Sequence, residues 1–177
     1  MNIVIRAITA NCLENIIDNQ KEYDELIDYI IFGINNITPI IYLRSLESLN
    51  NILKYVFNRR INRKELILKF MSNYFNKLIN EIFIIMIDGY HSSAIKEITH
   101  IMKSLIRNID DKIASEALSI NSFEKAIQNE LIKIVPHVNT DRITLFCKKL
   151  FRYKEDYELL ENIINDFLID IKSYFRA

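Results

Sequence analysis

The residues best equipped for chemistry in this chain are scattered. His91, His100 and His137 stand in three separate places, with no His-Glu-x-x-His run, no histidine pair at i and i+4, and no carboxylate at ligand spacing beside them. The histidines therefore read as surface or capping residues. Cys147 lies within Leu145-Phe146-Cys147-Lys148-Lys149, where two lysines would activate a thiol if they pointed at it. Helical spacing instead groups Cys147 with Ile143 and Leu150 on a buried side. Neither Gly33 nor Gly89 belongs to a glycine-rich phosphate loop, which removes the nucleotide-binding motifs. The acid pairs Asp110-Asp111 and Glu155-Asp156 fall at helix starts, where the helix dipole already accounts for them. The sequence offers no catalytic residue, no metal ligand set and no cofactor site, and the expectation is a chain that is not an enzyme.

Two basic clusters remain. Arg59, Arg60, Arg63 and Lys64 fall between two helices, and Lys148, Lys149, Arg152 and Lys154 lie near another break. Such clusters can contact phosphates. However, Arg59 and Arg60 also sit at a helix C-terminus, where cations are favoured for structural reasons. No nucleic-acid-binding signature accompanies either cluster, and 23 basic residues balance 23 acidic ones. Nucleic acid is thus not the favoured partner. Tyr42, Tyr55 and Phe57 lie off or at the margin of the main apolar stripe of their helix, beside Arg59 and Arg60. Aromatic residues with arginine form the usual composition of interface hot spots, so these five are the candidate partner-binding residues. The alternative is a broad apolar face that packs against two neighbours.

The elements that would hold these residues are helices. With 177 residues, half of them hydrophobic, the chain is expected to form a single domain over 1–177 with a sizeable core. Only two glycines and two prolines leave little material for sheets and tight turns. The 35 isoleucines and 19 asparagines reflect codons rich in A and T, so isoleucine is weak evidence for strands here. The most apolar stretch, 62–89, reads as one central helix. Asn62 and Glu65 suit a capping box, Ile67, Met71, Phe75, Leu78, Ile82 and Met86 keep one face, and Gly89 closes it. From Ile82 to Ile87 the polar side disappears, so neighbours must surround this helix. About seven helices with short links are expected around it. Asn-x-x-Glu starts at Asn19 and Asn121, Pro39 opens a third helix, and Asn139 or Thr140 opens the penultimate one. A last helix carries Tyr153, Tyr157, Leu160, Ile164, Phe167, Ile171 and Phe175. No internal repeat is evident, which argues against a solenoid.

No stretch has a signal-peptide layout, and the longest uncharged run, Tyr29 to Leu43, is too short to span a bilayer. With two cysteines far apart, free thiols in a reducing compartment and a cytoplasmic location are expected.

In outline the chain resembles the Bcl-2-like proteins of poxviruses. The likeness rests on one domain of this length, about seven short-linked helices around one apolar helix, A/T-rich residue usage and the tyrosine-rich amphipathic helix from Tyr157 to Tyr174. The chain departs from that family in lacking the Asn-Trp-Gly-Arg signature of the cellular relatives, any tryptophan, and a tail anchor. The resemblance implies a Bcl-2-like fold and a viral antagonist of host apoptosis or innate-immune signalling in the host cytosol. Its partner would be a host protein, either a BH3-type helix or an immune-signalling adaptor, with a homodimer as a further state. The other readings are a nucleic-acid-associated helical protein and a structural subunit of a larger complex.

Overall fold

A computed structural model describes residues 13–57, 64–108, 111–118 and 122–172. Among them the chain is all-helical. The helices are α1 (Leu13–Ile17), α2 (Gln20–Ile34), α3 (Pro39–Val56), α4 (Lys64–Phe70), α5 (Asn76–Ile87), α6 (Ile95–Asn108), α7 (Asp111–Leu118), α8 (Phe123–Ile134), α9 (Thr140–Arg152) and α10 (Tyr157–Lys172). Seven of these, α2, α3, α5, α6, α8, α9 and α10, have twelve or more residues, which agrees with the expected bundle.

The stretch expected as one central helix is continuous from Lys64 to Ile87, with a π-helical segment, Met71–Phe75, between α4 and α5. Asn62 and its capping box lie outside the described residues. Gly89 adopts the left-handed conformation (φ 79°) just beyond the helix, where a side chain would be strained. Its apolar face behaves as the spacing requires: Met71, Phe75, Leu78, Ile82 and Met86 are buried. The run from Ile82 to Ile87 is not enclosed all round, because Ile84 is 40% exposed. α5 packs against α2, α6, α8 and α10, so it occupies the middle of the molecule. The others close around it in the order α2, α3, α6, α10, α9 and α8, each packed on the next, and α8 returns to α5.

Local signals explain most helix starts. The Asn19 side chain accepts from the Glu22 backbone N–H and donates to the Glu22 carboxylate, opening α2. Pro39 occupies the first turn of α3. Asn139 accepts from the Asp141 N–H at 2.7 Å and opens α9. The start of α8 differs from expectation. Ser122, one residue after Asn121, is the capping side chain, because its hydroxyl reaches the Lys125 N–H at 3.3 Å. Tyr153 also differs: it ends α9 rather than beginning the last helix, and Asp156 caps α10 through the Leu159 N–H.

Candidate interaction surface

One end of the bundle is built from two turns locked together, the α2–α3 turn and the α5–α6 turn. His91 is the link. It is 2% exposed, with Nδ1 at 2.6 Å from the Asp88 carboxylate and Nε2 at 3.0 Å from the Asn36 carbonyl oxygen. The Tyr42 ring stands edge-on to the imidazole at 4.5 Å, and the Tyr42 hydroxyl hydrogen-bonds Ser93 at the start of the α6 region. Asp88 also accepts from the Tyr90 N–H at 2.8 Å, and Asn36 accepts from the Thr38 N–H at 2.9 Å. The task of this histidine across two turns is hidden in sequence, since its Asn36 partner is brought to it only by folding. The signal that existed was local: Asp88 at i−3.

This rigid end displays large apolar side chains to solvent. Phe32, Ile37, Ile40 and Tyr90 are 64%, 73%, 67% and 76% exposed. Ile40 leads into a groove of about 540 Å³ between α3 and α6, with Leu43 and Leu46 on its floor and Glu47, Glu97 and His100 along its sides. His100 is stacked on Tyr157 at 4.4 Å, so α10 closes one end of the groove. Burial, then Glu161 and Glu97, push the Tyr157 phenol above its ordinary value, and its hydroxyl donates to the Lys96 carbonyl at 3.2 Å.

The five residues expected to bind a partner are placed as follows. Tyr42 (1% exposed) and Phe57 (6%) lie in the core, Tyr42 on His91 and Phe57 edge-on to Phe70 at 6.0 Å. Tyr55 is half-buried against the same core. These are the contacts of a broad apolar face: Tyr42 meets the α5–α6 turn and Phe57 meets α4, while α3 as a whole packs on α2 and α6. Arg59 and Arg60 lie outside the described residues. Of their cluster Lys64 is described, exposed and paired with Glu116 at 2.9 Å.

On the far side, α9 and α10 enclose a cleft of about 220 Å³ floored by Phe146 and Phe167, whose rings stack at 3.9 Å. Arg142 pairs with Asp170 at its rim. Lys148, Lys149 and Arg152 are exposed on the outer face of α9, with Arg152 over the Tyr153 ring at 5.3 Å. Cys147 faces inward, and burial, then the Glu124 charge, push its thiol up to about 12. The lysines beside it in sequence point away. Among the described residues no group of three histidine, cysteine, aspartate or glutamate side chains gathers to hold a metal, and no helix is long and apolar enough to cross a membrane.

Fold and surface together define a helical bundle with a displayed apolar end and groove. The chain matches the family model described as CRM1 C terminal over residues 3–176, and it belongs to that family. No curated protein matches it. Membership fits a helical protein-interaction or transport-associated module. It also corrects the resemblance to poxvirus Bcl-2-like proteins, and the Bcl-2-like fold label, which rested on that resemblance, is left without support. Chain length, helix number, A/T-rich usage and an amphipathic last helix are properties that any isoleucine-rich helical domain shares. None of them is a motif. The BH3-type helix and the immune adaptor were drawn from that resemblance and lose their support.

Proposed function

We propose that this chain is a non-enzymatic protein-interaction module acting in the cytoplasm, and that it captures an amphipathic helix of another protein in the α3–α6 groove. The observation that carries this reading is the concentration of exposed apolar residues, Phe32, Ile37, Ile40 and Tyr90, on an end made rigid by His91. A monomer surface scatters such residues, whereas a patch that leads into a groove marks a contact site. Glu97 at the groove side favours a helix with aliphatic anchors and a basic flank, while Glu47 is already paired with Arg44 at 2.8 Å. The family, exportin-like and helical, supports a role in transport-associated recognition. The buried free thiol of Cys147 suits a reducing compartment.

Calorimetric titration with amphipathic peptides carrying leucine or isoleucine at i and i+4 and lysine or arginine at the ends tests the reading. Saturable binding is expected, weakened about tenfold or more by Ile40→Asp or Leu43→Asp with the fold intact by circular dichroism. Binding that survives both substitutions, or no binding at all, overturns the groove as the site.

A further inference from the structure

The outer faces of α2 and α9 are complementary. On α2, Asp18 at its N-terminal edge, Glu22, Glu25, Tyr29 and Phe32 fall along one stripe at spacings of three and four, and all are exposed, Tyr29 by 50% and Phe32 by 64%. The acids come first and the aromatic residues last. On α9, Leu145, Lys148, Lys149 and Arg152 form an exposed stripe with Leu145 55% exposed, here with the apolar residue first and the bases last. Ile169 of α10, 71% exposed, lies one residue before Asp170, which Arg142 pairs with at the same end of α9.

We propose that a second copy of this chain lays its α2 antiparallel on this α9, giving head-to-tail association. The antiparallel register that sets Glu22 against Arg152 also sets Glu25 against Lys149, Tyr29 against Leu145 and Phe32 beside the Arg142 and Ile169 end. Glu22 to Tyr29 and Leu145 to Arg152 both span seven residues, about 10 Å of helix, so charge and apolar contacts fall in step. The antiparallel arrangement also brings the positive end of one helix dipole to the negative end of the other. Within one molecule these faces belong to helices that do not pack on each other: α2 packs on α1, α3 and α5, and α9 on α8 and α10. The contact is heterologous, so a pair of copies keeps one free acidic face on one member and one free basic face on the other, and growth continues unless a ring closes. The α3–α6 groove lining takes no part, Phe32 alone being common to this face and the displayed apolar end, and the inference stands whether or not that groove binds a helix.

Sedimentation velocity over a range of concentrations, at about 50 mM and about 500 mM salt, reads the association, because such exposed charge pairs are screened at the higher value. The full chain is expected to show mass rising with concentration at low salt, weakened about tenfold or more at high salt. Glu22→Lys with Glu25→Lys removes the acidic face, and Lys149→Glu with Arg152→Glu removes the basic one. Each doubly substituted chain is expected to be monomeric alone. Mixed, they are expected to regain association that rises with concentration, since the intact α2 of one matches the intact α9 of the other and the two reversed faces, lysines against glutamates, match as well. A full chain monomeric at every concentration overturns the proposal, as does a mixture with no complex or an association indifferent to salt and to both substitutions. Should a substituted chain fail to fold, Tyr29→Ala and Leu145→Ala are the second pair, each expected to weaken association of the unmixed chain about tenfold. Capture of nucleic acid or of a different protein by α9 without self-association also overturns it.

Discussion

At the scale of single residues, one buried side-chain polar atom among the described residues is left stranded by folding. The Tyr23 hydroxyl is buried without a hydrogen-bond partner, while the ring stands edge-on to Tyr74 at 5.2 Å. An unpaired buried donor costs about 1–3 kcal/mol. Tyr23→Phe keeps the ring and removes the donor, so stability is expected to rise by about 0.5–1 kcal/mol, read from the midpoint of urea unfolding. A fall in the midpoint would show that the hydroxyl has a favourable contact. Cys147 gives a pH dependence. Its thiol is raised from 9.0 to about 12 by burial and by Glu124, so the folded chain holds a proton that the unfolded chain releases near pH 9. The stabilisation is complete below pH 9 and is lost as pH climbs toward 12, at about 1.4 kcal/mol per pH unit for one such group. Tyr23, raised by burial and by Tyr74, acts in the same direction at higher pH. In a Cys12→Ser background, Cys147→Val is expected to flatten the decline between pH 9 and pH 11 by about one proton. An unchanged slope would remove Cys147 as its source. The inward thiol was legible from its spacing with Ile143 and Leu150. The buried state of Tyr42 and Phe57 was not, because margins of a stripe become core only when a second neighbour covers them.

At the scale of elements, α2 and α3 approach closely, and this explains a glycine inside a helix. Gly33 lies inside α2, one residue before its end, not in a turn. A Cβ at this position would overlap Ser45 Oγ of α3 and press on the Ser45 Cβ at 3.1 Å. Ser45 itself is buried and bonded to the Ile41 carbonyl, so it has little room to give. Gly33→Ala is therefore expected to destabilise by about 1–3 kcal/mol although alanine is the better helix former, and Ser45→Ala in the same chain should recover part of the loss. Equal or greater stability for Gly33→Ala alone would mean that the two helices separate without cost. Helix existence and most starts were legible, since capping and periodicity are local. The π segment at Met71–Phe75 was not. It is flanked and filled by Phe70, Met71, Tyr74 and Phe75, all buried, and Tyr74 is held by Asp24 and Gln20 of the α2 region. Packing on both sides, rather than a proline or glycine, accompanies the change of pitch.

At the scale of the whole molecule the helices form a closed arrangement, and this bears on how a member of a helical-repeat family folds. In an open array each helix pair touches only its neighbours, and removing the last pair leaves the rest standing. Here α10 packs on α6 and on the central α5, and α9 joins α10 to α8, so the last pair completes the wall around Ile82, Phe83 and Met86. Deleting residues 140–177 exposes that helix on the side α10 covers. The shortened chain is expected to lose its cooperative transition, with far-ultraviolet circular dichroism in urea showing a broad, shallow change. The full chain should instead unfold in one step, with circular dichroism and tyrosine fluorescence coinciding. Point substitutions locate the same centre. Phe83→Ala, at 0% exposure, should cost about 3–5 kcal/mol, and Ile84→Ala, one residue along at 40% exposure, should cost far less. A truncated chain that kept a sharp transition would mean that the N-terminal helices hold α5 by themselves. The ring would then be a stack of separable layers, and the closure seen around the central helix would contribute shape rather than stability.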